Sequence, residues 1–351
     1  MKAIKLVCML VVFLLLISGI YMFSEVKFIN NVEKALSIAT KENKNIFMAV
    51  TAEWCPYCQK MKKEIFETEF GEKLLKDFIC VEVDFDTSYG QKIKRKYRII
   101  SLPTVVLLAP SGKEIDRIIG YAGKEWFEKL LKKYTKGKDP LPELQKKLEK
   151  DLDNPELLFE VGQRVLQRGD EKKGIELLTR IIDLDPENSS DYTDNALFVL
   201  GRYYSRVKEN PEKGLKYWKE LFLKYPESDY GQGALSWMLR AYRDLNKLDD
   251  AENFLKNELK NKPENSYLYF SIAYFYLNYR KDLNKALSYA KEGLKIDSEN
   301  LSLLLLIANI NEKLKNYPEA VKILEKAVKL KPEDKSLKEK LEELKKQLRH
   351  K

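Results

Sequence analysis

A short motif that ends one helix and opens onto the next recurs through the second half of this 351-residue chain. It reads Asp185-Pro186-Glu187-Asn188, Tyr225-Pro226-Glu227-Ser228, Lys262-Pro263-Glu264-Asn265, Asp297-Ser298-Glu299-Asn300 and Lys331-Pro332-Glu333-Asp334, at steps of 40, 37, 35 and 34 residues. Strand signals are missing between these points, and apolar residues recur at helical spacing. Each interval carries an apolar or small pair in its first helix (Val161-Gly162, Leu200-Gly201, Met238-Leu239, Ile272-Ala273, Ile307-Ala308) and a small residue early in its second (Gly174, Gly214, Ala251, Ala286, Ala320). Small residues let paired helices approach closely, while Leu178, Trp218, Leu255 and Leu324 fill the space between pairs. No single interval can bury its apolar face alone, so this half of the chain must fold by stacking.

The period resembles that of tetratricopeptide repeats, which identifies residues 154–334 as an all-α solenoid of about five repeats, with 335–351 as a polar amphipathic capping helix. Such arrays bind peptides or partner proteins on their concave face. In this register Arg202, Arg206, Arg240 and Arg243 point into that face, and a later repeat adds Tyr267, Phe270 and Tyr274. A basic strip beside aromatics suits an acidic or C-terminal peptide segment. The competing reading makes these seven residues solvated arginines and packing aromatics.

Ahead of a Pro- and Lys-rich linker at 136–153, residues 28–135 alternate helix and strand. An amphipathic helix (Val32, Ala35, Leu36, Ala39) precedes an apolar strand Ile46–Val50, and a helix begins just after Cys55. Strands Phe78–Phe85, Thr104–Ala109 and Glu114–Ile119 follow, with helices around Gly90–Tyr97 and Lys124–Lys133. This is an α/β domain of about a hundred residues. Trp54-Cys55-Pro56-Tyr57-Cys58 lies where a strand hands over to a helix. C-x-x-C is also half of a zinc site, but the other half is missing. With Cys55 capping the helix and Pro56 in its first turn, the Cys55 sulfur faces free backbone N–H groups and the positive end of the helix dipole. That stabilises a thiolate, making Cys55 the nucleophile, while Cys58, one turn in, is placed to resolve a mixed disulfide.

These residues resemble the thioredoxin superfamily, and more closely the branch that includes the C-terminal domain of bacterial transmembrane disulfide reductases. The likeness rests on Ala52-Glu53-Trp54-Cys55-Pro56-Tyr57-Cys58, Val83-Asp84-Phe85-Asp86, Leu102-Pro103-Thr104 and Gly120. It implies a redox-active Cys55–Cys58 disulfide, a cis Leu102–Pro103 bond whose backbone positions the substrate, and Trp54 packed beside the site. The buried Asp that thioredoxins place six residues before the first cysteine is here Ala49. Glu82, in an apolar strand on the same side as Cys80 and Asp84, is the candidate replacement as proton acceptor; a strand-end carboxylate reaching solvent is the alternative. Cys80 reads as a buried apolar residue. The Pro-Tyr dipeptide is similar to that of glutaredoxins, so the motif leaves reductase, oxidase and isomerase directions open.

The N-terminus carries Lys2 and Lys5 before an uncharged run, Leu6–Ser24, close to the ~20 residues that cross a bilayer as a helix. Residues 1–25 are therefore expected to be a signal anchor or signal peptide, with the remainder on the far side of the membrane: periplasmic in a diderm bacterium, extracellular in a monoderm. The pairs Ile17/Gly19 and Met22/Ser24 lack the small-x-small pattern of efficient cleavage, which favours a retained inner-membrane anchor over a cleaved, secreted form. Cys8 lies early in the run and is read as an inert residue of that helix. The single His350, one residue from the C-terminus, excludes a histidine-dependent triad. The 63 basic and 54 acidic residues are interleaved along most of the chain, so the net +9 does not point to nucleic acid. The expectation is a membrane-tethered thiol-disulfide oxidoreductase without cofactor or metal. Its partners are thiol- or disulfide-bearing protein clients, a redox partner protein, and a peptide or protein on the repeats. The alternative is a non-catalytic repeat adaptor with a thioredoxin-like binding module.

Overall fold

The computed structural model describes residues 26–134, 138–228 and 230–349. The Leu6–Ser24 run and His350 lie outside them, and among the described residues no helix is long and apolar enough to cross a membrane. The chain divides into two compact units, Met1–Glu209 and Asn210–Lys351.

The first unit is built on a four-stranded sheet in the order β2-β1-β3-β4, from β1 (Asn45–Thr51), β2 (Phe78–Asp84), β3 (Thr104–Leu108) and β4 (Glu114–Ile119). β1 runs parallel to β2 and antiparallel to β3, and β3 pairs antiparallel with β4. All of β1 from Ile46 to Thr51 is buried, as an interior strand covered on both faces must be. Its side chains divide between two cores. Ile46, Met48 and Val50 pack with Val81, Val83, Val106 and residues of α1 (Val32–Glu42) and α4 (Ser88–Tyr97). Phe47 and Ala49 join Cys80, Val105 and Leu107 beneath α2 (Pro56–Met61), α3 (Glu69–Leu75) and α5 (Lys124–Tyr134). Between α2 and α3 the chain makes a π turn, Lys62–Phe66, which together with α3 goes beyond the sequence expectation. Asn31, Thr68 and Thr87 cap α1, α3 and α4 with side-chain oxygens, each accepting from a backbone N–H three residues on.

The stretch expected as linker is partly helical: α6 spans Leu141–Leu148. Pro140 and Pro142 stand where a helix start tolerates proline, and the Leu141 N–H donates to Asp139 Oδ1 at 2.9 Å. Next come α7 (Pro155–Arg168), α8 (Glu171–Leu184) and α9 (Thr193–Arg206), which complete this unit. α7 and α8 approach so closely that a Cβ on Gly174 would fall 2.5 Å from the Leu166 Cβ.

The second unit is helical: α10 (Pro211–Lys224), a short 3-10 turn Gly231–Gly233, α11 (Ala234–Asp244), α12 (Leu248–Asn261), α13 (Ser266–Phe275), α14 (Leu283–Ile296), α15 (Leu301–Lys313), α16 (Tyr317–Leu330) and α17 (Lys335–Arg349). Helices adjacent in sequence pack together from α10 to α17. Trp218, Leu255, Ala251, Ala286 and Ala320 are fully enclosed, and Leu324 nearly so.

The recurring four-residue motif does more than end helices. Its fourth residue accepts a hydrogen bond from the backbone of the following helix or turn at every occurrence: Asn188 from Thr193, Ser228 from Gly231, Asn265 from Leu268, Asn300 from Leu303 and Asp334 from Leu337. One short-side-chain polar residue therefore satisfies N–H groups that a helix start leaves without partners.

Candidate active site

Cys55 occupies the N-cap of α2 in extended backbone conformation, with Pro56 at the first helical position. It is disulfide-bonded to Cys58 (S–S 2.22 Å, Cα–Cα 5.2 Å). The Cys58 N–H donates to Cys55 Sγ at 3.2 Å, as the capping geometry requires. Cys55 is 4% exposed and Cys58 fully buried, so Cys55 is the more accessible residue of the pair. The loop before them is fixed by Cys55 N–H to Ala52 O (3.2 Å) and by the Gln59 side chain donating to Glu53 O.

Trp54 and Tyr57 stand out from the surface, 57% and 62% exposed. The Trp54 indole N–H donates to Asp86 Oδ2 at 2.6 Å, which ties the cysteine loop to the loop after β2. The Leu102–Pro103 bond is cis. Leu102 packs against the same apolar cluster that contains Cys55 and Cys58. Its own segment is anchored by Thr104 Oγ1 donating to Ser101 O (2.8 Å) and Gly120 N–H donating to Pro103 O (2.8 Å).

Ala49 and Glu82 are register partners across the parallel β1–β2 pair. Glu82 therefore stands one strand over from the position at which thioredoxins carry their buried acid. Its Oε1 accepts from Thr51 Oγ1 (2.7 Å) and pairs with Lys62 Nζ (2.6 Å), and it lines a surface cleft with Asn30, Asp84 and Thr87. Lys62 and Thr51 were not anticipated from the sequence; their signal is the register that sets a hydroxyl and an ammonium beside a carboxylate in a half-buried strand. Cys80 is a free buried thiol whose burial pushes its pKa up to about 12.

The seven residues assigned to a concave peptide clamp fall in both units. Arg202 and Arg206 belong to the first. Arg202 is 8% exposed, so it is not a solvated face residue: its Nε donates to Ile100 O at 2.8 Å and its Nη2 to Ser101 Oγ at 3.2 Å. The Arg206 guanidinium lies 5.4 Å from the Phe85 ring centroid. In the second unit Arg240 stacks on Trp237 (5.0 Å) and Arg243 pairs with Asp244 (2.8 Å). Phe270 touches both Tyr267 and Tyr274, with ring centroids 6.2 and 6.1 Å apart. The Tyr267 hydroxyl is enclosed without a hydrogen-bond partner among the described residues, and burial pushes its pKa up.

A disulfide at the start of the helix that leaves a central strand, with a cis-proline loop packed on the same cluster, defines a thioredoxin-type redox fold. Residues 32–135 match the thioredoxin-like domain family, and residues 277–344 match a tetratricopeptide repeat family. Thioredoxin H4 of Arabidopsis thaliana is 31% identical over 100 residues, covering 28% of this chain and 79% of that protein. The thiol:disulfide interchange protein DsbD of Actinobacillus pleuropneumoniae is 22% identical over 94 residues, 26% of this chain. The chain spans only 16% of the length of that relative. A tetratricopeptide repeat protein of Thermus thermophilus is 18% identical, covers 54% of this chain and 98% of its own, and superposes with a TM-score of 0.37. The chain belongs to the thioredoxin-like family and joins that domain to tetratricopeptide repeats.

Proposed function

We propose that the protein is a thiol-disulfide oxidoreductase that acts on protein clients outside the cytoplasm, tethered by its Leu6–Ser24 segment. The observation that carries the reading is the Cys55–Cys58 disulfide at a helix start, with Cys55 Sγ already accepting a backbone N–H. That donor and the positive helix end favour charge on sulfur. In the reducing direction the Cys55 thiolate attacks one sulfur of a client disulfide. A mixed disulfide forms and a client thiolate leaves. The Cys58 thiolate then attacks Cys55 Sγ, the Cys55–Cys58 bond re-forms, and the second client thiolate departs with the electron pair. Reversing both steps oxidises a client dithiol.

Pro103 and the backbone beside it position the client, and Trp54, held by Asp86, shapes the rim. Glu82 is the candidate acceptor for the Cys58 proton; its pairing with Lys62 fixes the position of its side chain. The repeats recruit a protein or peptide, which raises the client's effective concentration at the cysteines.

Insulin reduction by the chain provides the test. Cys55→Ser is expected to abolish turnover, and Cys58→Ala to accumulate clients as mixed disulfides through Cys55. Turnover by Cys55→Ser equal to that of the parent would sink the enzyme reading in favour of a repeat adaptor. A Glu82→Gln chain that resolves mixed disulfides at the parental rate and pH profile would remove Glu82 from the mechanism.

A further inference from the structure

Helix α9 reaches the two loops that frame the cysteine pair. Through Arg202 it holds the segment just before Leu102–Pro103: one arm of the guanidinium donates to Ile100 O (2.8 Å), another to Ser101 Oγ (3.2 Å). One turn further on, Arg206 lies over Phe85. The Phe85 N–H is bonded to Thr51 O (2.8 Å), and its neighbour Asp86 holds the Trp54 indole. The far side of the Ile100–Pro103 loop is fixed by its own sheet, through Thr104 Oγ1 and Gly120 N–H. Arg202 is almost fully buried, and its guanidinium also lies 5.4 Å from the Phe198 ring centroid. A guanidinium offers diverging donors in a rigid plane, so two acceptors can be held at once; an ammonium is a point charge with no such fork.

We propose that Arg202 is a positioning residue for thiol-disulfide exchange. It fixes the loop on which a client backbone docks, so that α9 completes the redox site. This rests on the oxidoreductase reading. A client docks on the backbone of this loop, and a displacement of about 1 Å in such a surface is costly in binding and orientation. Cys55 chemistry itself is set by the start of α2, whereas the guanidinium of Arg202 donates to the loop before Pro103. Loss of Arg202 should therefore weaken client docking and leave sulfur reactivity unchanged.

The test uses the full chain with dithiothreitol as electron donor and a peptide bearing one intramolecular disulfide as substrate. KM, kcat and the rate at which iodoacetamide alkylates reduced Cys55 are measured for the parent, Arg202→Ala, Arg202→Lys and Arg168→Ala. Arg168 grips Asp139 and Ile115 O, and its replacement loosens α7 without touching the loop. Arg202→Ala is expected to raise KM about tenfold with unchanged alkylation, Arg202→Lys about threefold, and Arg168→Ala not at all. An unchanged KM in Arg202→Ala overturns the proposal, as does an equal rise in Arg168→Ala. If Arg202→Ala does not fold, Arg202→Lys decides on the same criterion. A parent chain that reduces no disulfide marks failure of the oxidoreductase reading instead. Amide exchange at Leu102 then decides for Arg202: faster exchange in the variant supports loop positioning, and an unchanged rate overturns it.

Discussion

Charge is placed differently in the two units. Among the described residues of the unit that ends at Glu209, three guanidinium groups turn inward: Arg117, Arg164 and Arg202, each 7–8% exposed. Arg117 bonds Glu114 and Tyr97 O, Arg164 bonds the 1%-exposed Asp116, and Arg202 bonds Ile100 O. Among the described residues of the second unit, the fully buried polar side chains are Ser271 and Asn311, both neutral. Its charges pair outside, as Lys256 with Glu252 and Lys340 with Glu312. Buried fork-like hydrogen bonds set direction, whereas apolar stacking sets only proximity. The first unit holds a loop beside a cysteine pair through such hydrogen bonds; the second is held together by stacking.

The strongest way to break this contrast is Arg164→Met. It strips Asp116 of its 3.0 Å partner and leaves Arg168 at 3.6 Å. Breaking a buried pair is expected to cost about 3–5 kcal/mol at pH 8. Burial already pushes the Asp116 carboxyl up against the pull of Arg164 and Arg168, and losing Arg164 raises it further. A carboxyl with a folded pKa above its unfolded one contributes stability below the unfolded value and loses it as pH rises through the folded one. Urea unfolding should therefore show a smaller loss at pH 5 than at pH 8. A loss below about 1 kcal/mol at pH 8 would make this pair no more than a surface ion pair.

The small residue early in the second helix of a pair gives a finer comparison. Gly174 and Gly214 hold that place in the first two pairs, one in each unit, whereas Ala251, Ala286 and Ala320 hold it in the later three. A Cβ at 174 would meet Leu166 backbone atoms at 2.7 Å, which a rotamer change cannot relieve. Gly174→Ala is expected to destabilise by about 1–2 kcal/mol, because overpacking outweighs the ~1 kcal/mol helix-propensity gain. Unfolding midpoints decide it, and a stabilised variant would show that the α7–α8 contact yields.

How these features could be read from sequence follows the same division. The C-x-x-C cap and helix pairs were legible because each is a local pattern: a cap, a proline at a helix start, an apolar period. Helix α6 was hidden by Pro140 and Pro142, which signal a linker and a helix start equally well. Arg202 was misplaced because periodicity tells which face of a helix is apolar, not what covers the polar one. A signal was present nonetheless. Phe198-Val199-Leu200-Gly201 and Tyr203-Tyr204 surround Arg202, so this stretch of α9 is apolar nearly all round, and Val199 to Tyr203 are all buried. A helix apolar on every side is covered on every side, so an arginine within it needs a buried acceptor. Alternation puts Glu82 on the strand face of Cys80 and Asp84, but its partner Lys62 is the first residue of a π turn that no local pattern announces.

The smallest expected effect lies in the second unit, where an exterior cluster should still register with pH. Burial pushes the Glu252 carboxyl up, but hydrogen bonds from Lys256, Tyr276 and Arg280 outweigh it and hold the pKa at about 2. Because that folded value lies below the unfolded one near ~4.3, the contribution is complete above pH 4.3 and disappears as pH falls through 2. The side chain keeps 20% of its surface exposed, so solvent screening limits the effect to about 1 kcal/mol. Melting curves between pH 5 and pH 2 should show a steeper decline for the parent than for Glu252→Gln, which lacks the titrating group. Parallel declines would mean that the cluster contributes no pH-dependent stability, and that the second unit is held by its apolar stack alone.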